Sequence, residues 1–134
     1  MRASDKVARL LADLASMGED AAHIVSHGQA AYLADDAQGR LLRNAGERIV
    51  IKVSTVVERL PAEFKAEHPQ VEWVKIQRMR NLVAHHYDKV QADFVWATLA
   101  RRIPGLVADV VGRKQKTAYE IHAVTGVQTC ALPI

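Results

Sequence analysis

The chain has a single cysteine, Cys130, among 134 residues, so no disulfide can close within it and no cysteine-rich metal framework can be built. Aromatic residues make up only 5% of the sequence, and glycine and proline are sparse through the first hundred positions. Strands and hairpins therefore have little to be made from. No apolar run approaches the roughly 18 residues that span a bilayer, and the N-terminus, MRASDKVARL, lacks the apolar stretch of a secretory signal. A cytoplasmic protein without membrane contact is expected. A strong excess of one charge is missing too: 18 Lys and Arg face 15 Asp and Glu, a formal +3, which permits a polyanionic partner without demanding one. What is present, 49% apolar and 25% charged residues, is the composition of one helical domain held by packing.

The helices can be read from apolar spacing. From Ser4, a plausible N-cap, Val7, Leu10, Leu11, Leu14, Met17, Ala21, Ile24 and Val25 recur at three and four, predicting an amphipathic helix to about Ser26. Gly28 interrupts it, QAAYLAD offers one or two short turns, and Asp35 or Asp36 can cap the next helix. Residues 36–60 carry Leu41, Leu42, Ala45, Ile49, Val53, Val56, Val57 and Leu60. The β-branched run IVIKVSTVV keeps the helical period, so a second long helix is predicted, stopped by Pro61. After a polar linker, PAEFKAEHPQ, in which Pro69 sets up a new start, a third helix is predicted over 71–87 with Val71, Val74, Ile76, Met79, Leu82 and Val83 on its apolar side. A turn at about 88–91 precedes a fourth, Ala92 to Gly112, where Pro104 predicts a bend near Ile103. Four long helices with short connections imply an all-α fold, an antiparallel four-helix bundle with short accessory helices. The apolar IVIKVSTVV face is covered either by a thick core or by an oligomer.

Residues 1–113 form the expected domain and 114–134 a tail outside it. The last eleven residues, VTGVQTCALPI, carry no charge and no helical pattern. They resemble the in-frame translation of a common DNA-sequencing adapter and are set aside in reading the fold. On that reading Cys130 has no biological role and the native chain differs beyond Ala123.

Reactive side chains concentrate at the end of the third helix: Arg78, Arg80, Asn81, His85, His86, Tyr87 and Asp88. At about 100° per residue Asn81 and His85 share one stripe, and Arg80, Ala84 and Tyr87 another. Arg80 and His85 are about 140° apart on a straight helix. A common target requires the helix to bend or end there, or a second copy to complete the site across a two-fold axis. Histidine moves protons near neutral pH, while arginine offers a permanently charged fork that fits phosphate. That pair suits RNA cleavage, in which the 2′-hydroxyl attacks its own phosphate and needs a base and positive charge but no metal. The plainer alternative is that Arg and His offset the helix dipole in solvent.

The order Arg80-Asn81-Leu82-Val83-Ala84-His85-His86-Tyr87 resembles the Arg, polar residue, three or so intervening residues, His, any residue, Tyr signature of the HepT-like toxins, a branch of the HEPN superfamily. Trp73, Gly46-Glu47-Arg48, LPAEFKAEHPQVEW and FVWATLARRIPGL are similar to the same family, so the likeness runs over roughly residues 5–111. The resemblance implies a HEPN-like helical bundle and a metal-independent endoribonuclease of a toxin–antitoxin pair. It further implies a homodimer that needs no cofactor and acts on RNA, with Arg80 and His85 catalytic and Asn81 as their polar neighbour. Arg78 and His86 are candidates for substrate contact. Tyr87 matches the tyrosine to which an MNT-type nucleotidyltransferase antitoxin adds AMP, and an anionic nucleotide there would repel RNA. Asp88 is an unwelcome carboxylate beside such a substrate and can instead orient His86. The alternative is a non-catalytic HEPN module that serves the nucleotidyltransferase as partner and AMP acceptor.

Other features weigh less. His23 and His27, with Asp20, have chelating spacing but no further ligand, so no metal is expected. Arg101, Arg102, Arg113, Lys114 and Lys116 read first as solvated surface charge, Trp73 and Trp96 as core anchors. Glu47 is either an acid partner of His85 or a partner of an arginine.

Overall fold

A computed structural model describes residues 3–85 and 89–112. Among these there is no strand, and the fold is all-α. α1 spans Ala3–Val25 and buries Leu10, Leu11, Leu14, Ala21 and Ile24 along one side, the stripe that its three-and-four spacing dictates. It ends where Gly28 adopts φ 93°, a left-handed conformation that suits glycine at a helix C-terminus, with Gly28 N donating to Val25 O at 2.9 Å.

α2, Gln29–Leu33, is a single turn that drives Tyr32 completely into the core. α3, Ala37–Arg59, is capped by Asp36, whose Oδ1 accepts from Gly39 N at 2.8 Å. Of the two aspartates that could cap this helix, Asp36 does so. Arg43 ties the corner down, its Nη1 donating to Tyr32 O and Ala34 O at 2.8 Å each. The corner leaves no room for a side chain at position 39: a Cβ on Gly39 would lie 2.1 Å from Ala34 O.

The β-branched run behaves as a helix, and Ile49, Val50, Val53, Val56 and Val57 are all buried within the single chain. A thick core covers that face. Two apolar residues assigned to the inner stripe do not belong there: Leu41 is 68% and Val74 59% exposed. Each lies in the opening turns of its helix.

The linker after Pro61 is not wholly irregular. Residues Ala62–Ala66 form a short helix, α4, because Phe64 has a place to pack, 4.5 Å from the His68 ring and 6.4 Å from that of Trp73. Trp73 Nε1 donates to Lys65 O and His68 O, both at 3.1 Å. The indole therefore anchors the linker, and α5 starts at Trp73, two residues after the predicted start at Val71, and runs to His85.

α6, Lys89–Ala97, starts earlier than the spacing predicts, so 89–91 is helix and not turn. Buried Gln91 accounts for this by donating from Nε2 to Val83 O at 3.2 Å, which satisfies a carbonyl near the end of α5. The path continues through a widened π-type turn, Thr98–Arg102, then α7, Ile103–Val107, and a second widened turn, Ala108–Gly112. The first widening sits just ahead of Pro104, whose ring would strike the carbonyl four residues back and whose missing N–H leaves that carbonyl free. The expected bend thus takes the form of a wider turn.

α3 packs against α1, α2, α5 and α6, while α1 also packs along the stretch from Thr98 onward. These elements enclose one core. Among the described residues no helix is long and apolar enough to cross a membrane. Residue 113 and the tail 114–134, with Cys130, lie outside the described residues.

Candidate active site

α5 turns Ile76, Met79 and Val83 into the core, which leaves Arg78, Arg80 and Asn81 exposed on the other side. The inner edge is fixed by Thr98, whose Oγ1 approaches Met79 Sδ at 3.6 Å and donates to Phe94 O at 3.0 Å. Arg80 Nη1 stands 3.6 Å from Glu58 Oε1 at the end of α3, with both side chains more than half exposed. Glu58 carries no motif that would mark it in the sequence; only the packing of α3 on α5 reveals it.

His85 is the last residue of α5. Because the helix runs from Trp73 to His85 without interruption, positions 80 and 85 keep their separation of about 140° around its axis. Asn81 stands one turn before His85, and Arg78 falls near the same stripe, whereas Arg80 faces Glu58 instead. The two positions thus fall on different stripes of one helix. His86, Tyr87 and Asp88 lie outside the described residues.

Gly46, Glu47 and Arg48 perform three different jobs. Gly46 is buried where a Cβ would meet Leu99 Cδ1 and the Tyr32 hydroxyl oxygen, each at 2.8 Å. Glu47 is half-buried, and burial pushes its carboxyl above the usual range while Arg43 pulls it back. Among the described residues Glu47 forms no ion pair, so Arg43 reaches it through its charge and not through a salt bridge. Arg48 lines a groove between α1 and α3.

Tyr32 is the costly member of this group. Its hydroxyl is buried without a hydrogen-bond partner among the described residues, and burial, then the charge of Glu47, push the phenol well above its ordinary range. A buried hydroxyl that makes no bond gains nothing for its desolvation, which costs about 1–3 kcal/mol. Tyr32→Phe is therefore expected to leave stability unchanged or raise it by about 1 kcal/mol. A thermal melt checks this; a fall of several degrees would show that the hydroxyl has a partner in solution.

The remaining candidates separate cleanly. His23 and His27 meet ring edge to face at 5.3 Å, and His27 Nδ1 is 3.1 Å from His23 O. Among the described residues no three His, Cys, Asp or Glu gather that could hold a metal ion. Trp96 packs on Tyr32 at 5.3 Å. Arg101 and Arg102 are exposed at a shallow 180 Å³ pocket whose wall also carries Glu72 and Asp109. Lys75 and, more weakly, Arg102 hold the Glu72 carboxyl below its usual range. Arg113, Lys114 and Lys116 lie outside the described residues.

Comparison with known proteins gives the class of this all-α chain. The family described as Ribonuclease HepT-like matches residues 14–110. An RNase-named protein of Caldanaerobacter subterraneus subsp. tengcongensis is 32% identical over 82 residues, 61% of this chain and 73% of that protein. An RNase-named protein of Methanocaldococcus jannaschii is 26% identical over 58 residues, 43% of this chain and 48% of that one. A protein named ribonuclease HepT from Thermococcus cleftensis is 35% identical over 49 residues, 37% of this chain and 44% of its own length. No solved structure matches. The chain belongs to the HepT-like ribonucleases, of HEPN type.

Proposed function

We propose that this chain is the endoribonuclease toxin of a toxin–antitoxin pair, that it acts in the cytoplasm as a homodimer, and that its catalytic groups are Arg80 and His85. Family membership supports RNA as the substrate. The observation that carries the dimer is the continuity of α5: with about 140° between Arg80 and His85, a cleft using both is completed by a second copy related by a two-fold axis. Asn81, exposed and one turn from His85, is the polar neighbour that holds substrate or imidazole. Arg78 and His86 are further contacts for the RNA.

In the reaction, His85 takes the proton of a ribose 2′-hydroxyl, the freed oxygen attacks the adjacent phosphorus, and the 5′-oxygen leaves with a proton supplied by a second acid. Arg80 balances the charge that grows on the phosphorane oxygens. Regulation fits the same place. Transfer of AMP to Tyr87 by an MNT-type nucleotidyltransferase would set an anion beside the guanidinium that substrate phosphate needs.

The test is cleavage of RNA by the purified full chain in EDTA, with its mass in solution measured alongside. Cleavage by a dimer is expected. A chain that accepts AMP at Tyr87 from a nucleotidyltransferase and never cleaves RNA would replace this reading with that of a binding module.

The Glu58 contact adds a second expectation. A carboxylate 3.6 Å from Arg80 competes with a phosphate for the same guanidinium, and an exposed pair of this kind is worth about 0–1 kcal/mol. Glu58→Gln should therefore lower KM for RNA about twofold to fivefold with kcat unchanged. A raised KM would show that Glu58 positions Arg80 instead of competing for it.

A further inference from the structure

Between α1 and α3 lies an open groove of about 350 Å³, lined by Asp20, His23, Ile24, Ala45, Arg48, Ile49 and Lys52. Its floor is apolar: Ile24 and Ile49 are core residues whose edges reach the groove, with Ala45 also on the lining. Its rim is cationic. Arg48 and Lys52 stand one turn apart on α3, about 6 Å along the axis, and neither enters an ion pair among the described residues. His23 adds an aromatic ring, backed edge-on by His27. Asp20 is the one carboxylate on the lining.

An apolar floor with two fixed cations at its lip suits a ligand that is flat and apolar at one end and anionic at the other. The volume falls at the small end of the range for sites that hold small organic groups, about 300–1,000 Å³. A nucleotide has this form, its base resting on aliphatic and imidazole surface and its phosphate between guanidinium and ammonium. Position selects the source. Lys52 precedes Glu58, the residue against Arg80, by about 9 Å along α3, with roughly a third of a turn between them. One RNA strand that reaches Arg80 can continue around α3 into the groove.

We infer that the α1–α3 groove is a second RNA subsite that seats one nucleotide of the strand outside the scissile bond, its phosphate held by Arg48 and Lys52 and its base by Ile24, Ala45, Ile49 and the His23 ring. This rests on the ribonuclease reading for its choice of RNA, and it gives that enzyme a means of gripping long substrates away from the point of cleavage.

The experiment compares the full chain with its Arg48→Ala/Lys52→Ala variant, both changes lying at the rim of the groove on a helix that alanine favours. Binding of a short 2′-O-methyl oligoribonucleotide, which cannot be cleaved, is measured against salt concentration, binding of AMP is measured separately, and cleavage of RNA is followed in parallel. The variant should bind the oligonucleotide about tenfold more weakly, with the slope of log affinity against log salt reduced by about 1.4, or 0.7 for each lost contact to a single strand. At saturating RNA its kcat should match the parent. Unchanged affinity and slope for the oligonucleotide would overturn the subsite. If AMP binding alone is lost, the groove belongs to a free nucleotide and the RNA assignment falls. Arg80→Ala separates the two readings: cleavage lost there while the groove variant binds RNA normally refutes the groove and leaves the ribonuclease standing. Conversely, groove-dependent RNA binding by a chain that never cleaves refutes the ribonuclease and leaves the groove.

Discussion

Arg80→Ala and His85→Ala are each expected to leave a folded, helical chain that no longer cleaves RNA at a useful rate. Removing the base should cost about 10²–10⁴-fold in kcat, and removing the charge that steadies the phosphorane about 10²–10³-fold. Neither change should unfold the protein. Arg80 is exposed, and its ion pair with Glu58 is solvent-facing, so its loss costs the fold at most about 1 kcal/mol. Groups that act on one transition state are not additive, so the double variant should be scarcely slower than the slower single one. Single-turnover cleavage with circular dichroism on the same samples makes the measurement. Full activity in either variant would take the chemistry away from α5.

The second large effect concerns stability. Gly39→Ala is expected to destabilise the protein by about 2–3 kcal/mol, although alanine is ordinarily the better helix former by about 1 kcal/mol. The reason is local: the new methyl would come 2.1 Å from Ala34 O and 2.9 Å from its carbon. These are backbone atoms at a corner already pinned by Arg43 and by the Asp36 cap. The corner must open, and the Arg43 hydrogen bond to Ala34 O opens with it. For a domain of this size such a loss lowers Tm by roughly 10 °C or more. Gly105→Ala is the matched control, since nothing lies within 4 Å of a Cβ there, and it should be neutral or mildly stabilising. Equal melting temperatures for the two variants would contradict the packing described at the α2–α3 corner.

Both expectations show how far the fold is legible from sequence. Leu14, Ile49, Val53, Met79 and Val95 are buried because their spacing leaves a helix no other way to hide them, and that spacing is plain in the sequence. So is the Asp36 cap, whose side chain acts within its own turn. The Arg80-to-His85 cluster is likewise legible, as an ordered run of reactive residues on one helix. What escapes depends on contact between elements. Glu58 meets Arg80 only because α3 lies along α5, and the bar to a side chain at Gly39 arises from a carbonyl on the preceding loop. α4 hides in a polar segment because its reason for folding, a seat for Phe64 against Trp73, is supplied by another helix. Leu41 and Val74 show the converse, since periodicity marks a face but does not guarantee that a neighbour reaches it.

The central claim is that the RNA's own 2′-hydroxyl is the nucleophile, activated by an imidazole and an arginine with no metal taking part. Mass spectrometry of the fragments from an oligoribonucleotide cut in EDTA tests it most directly. Products ending in 2′,3′-cyclic phosphate and beginning with a free 5′-hydroxyl are predicted; fragments bearing 5′-phosphates, or no cutting until a divalent metal is restored, would contradict it.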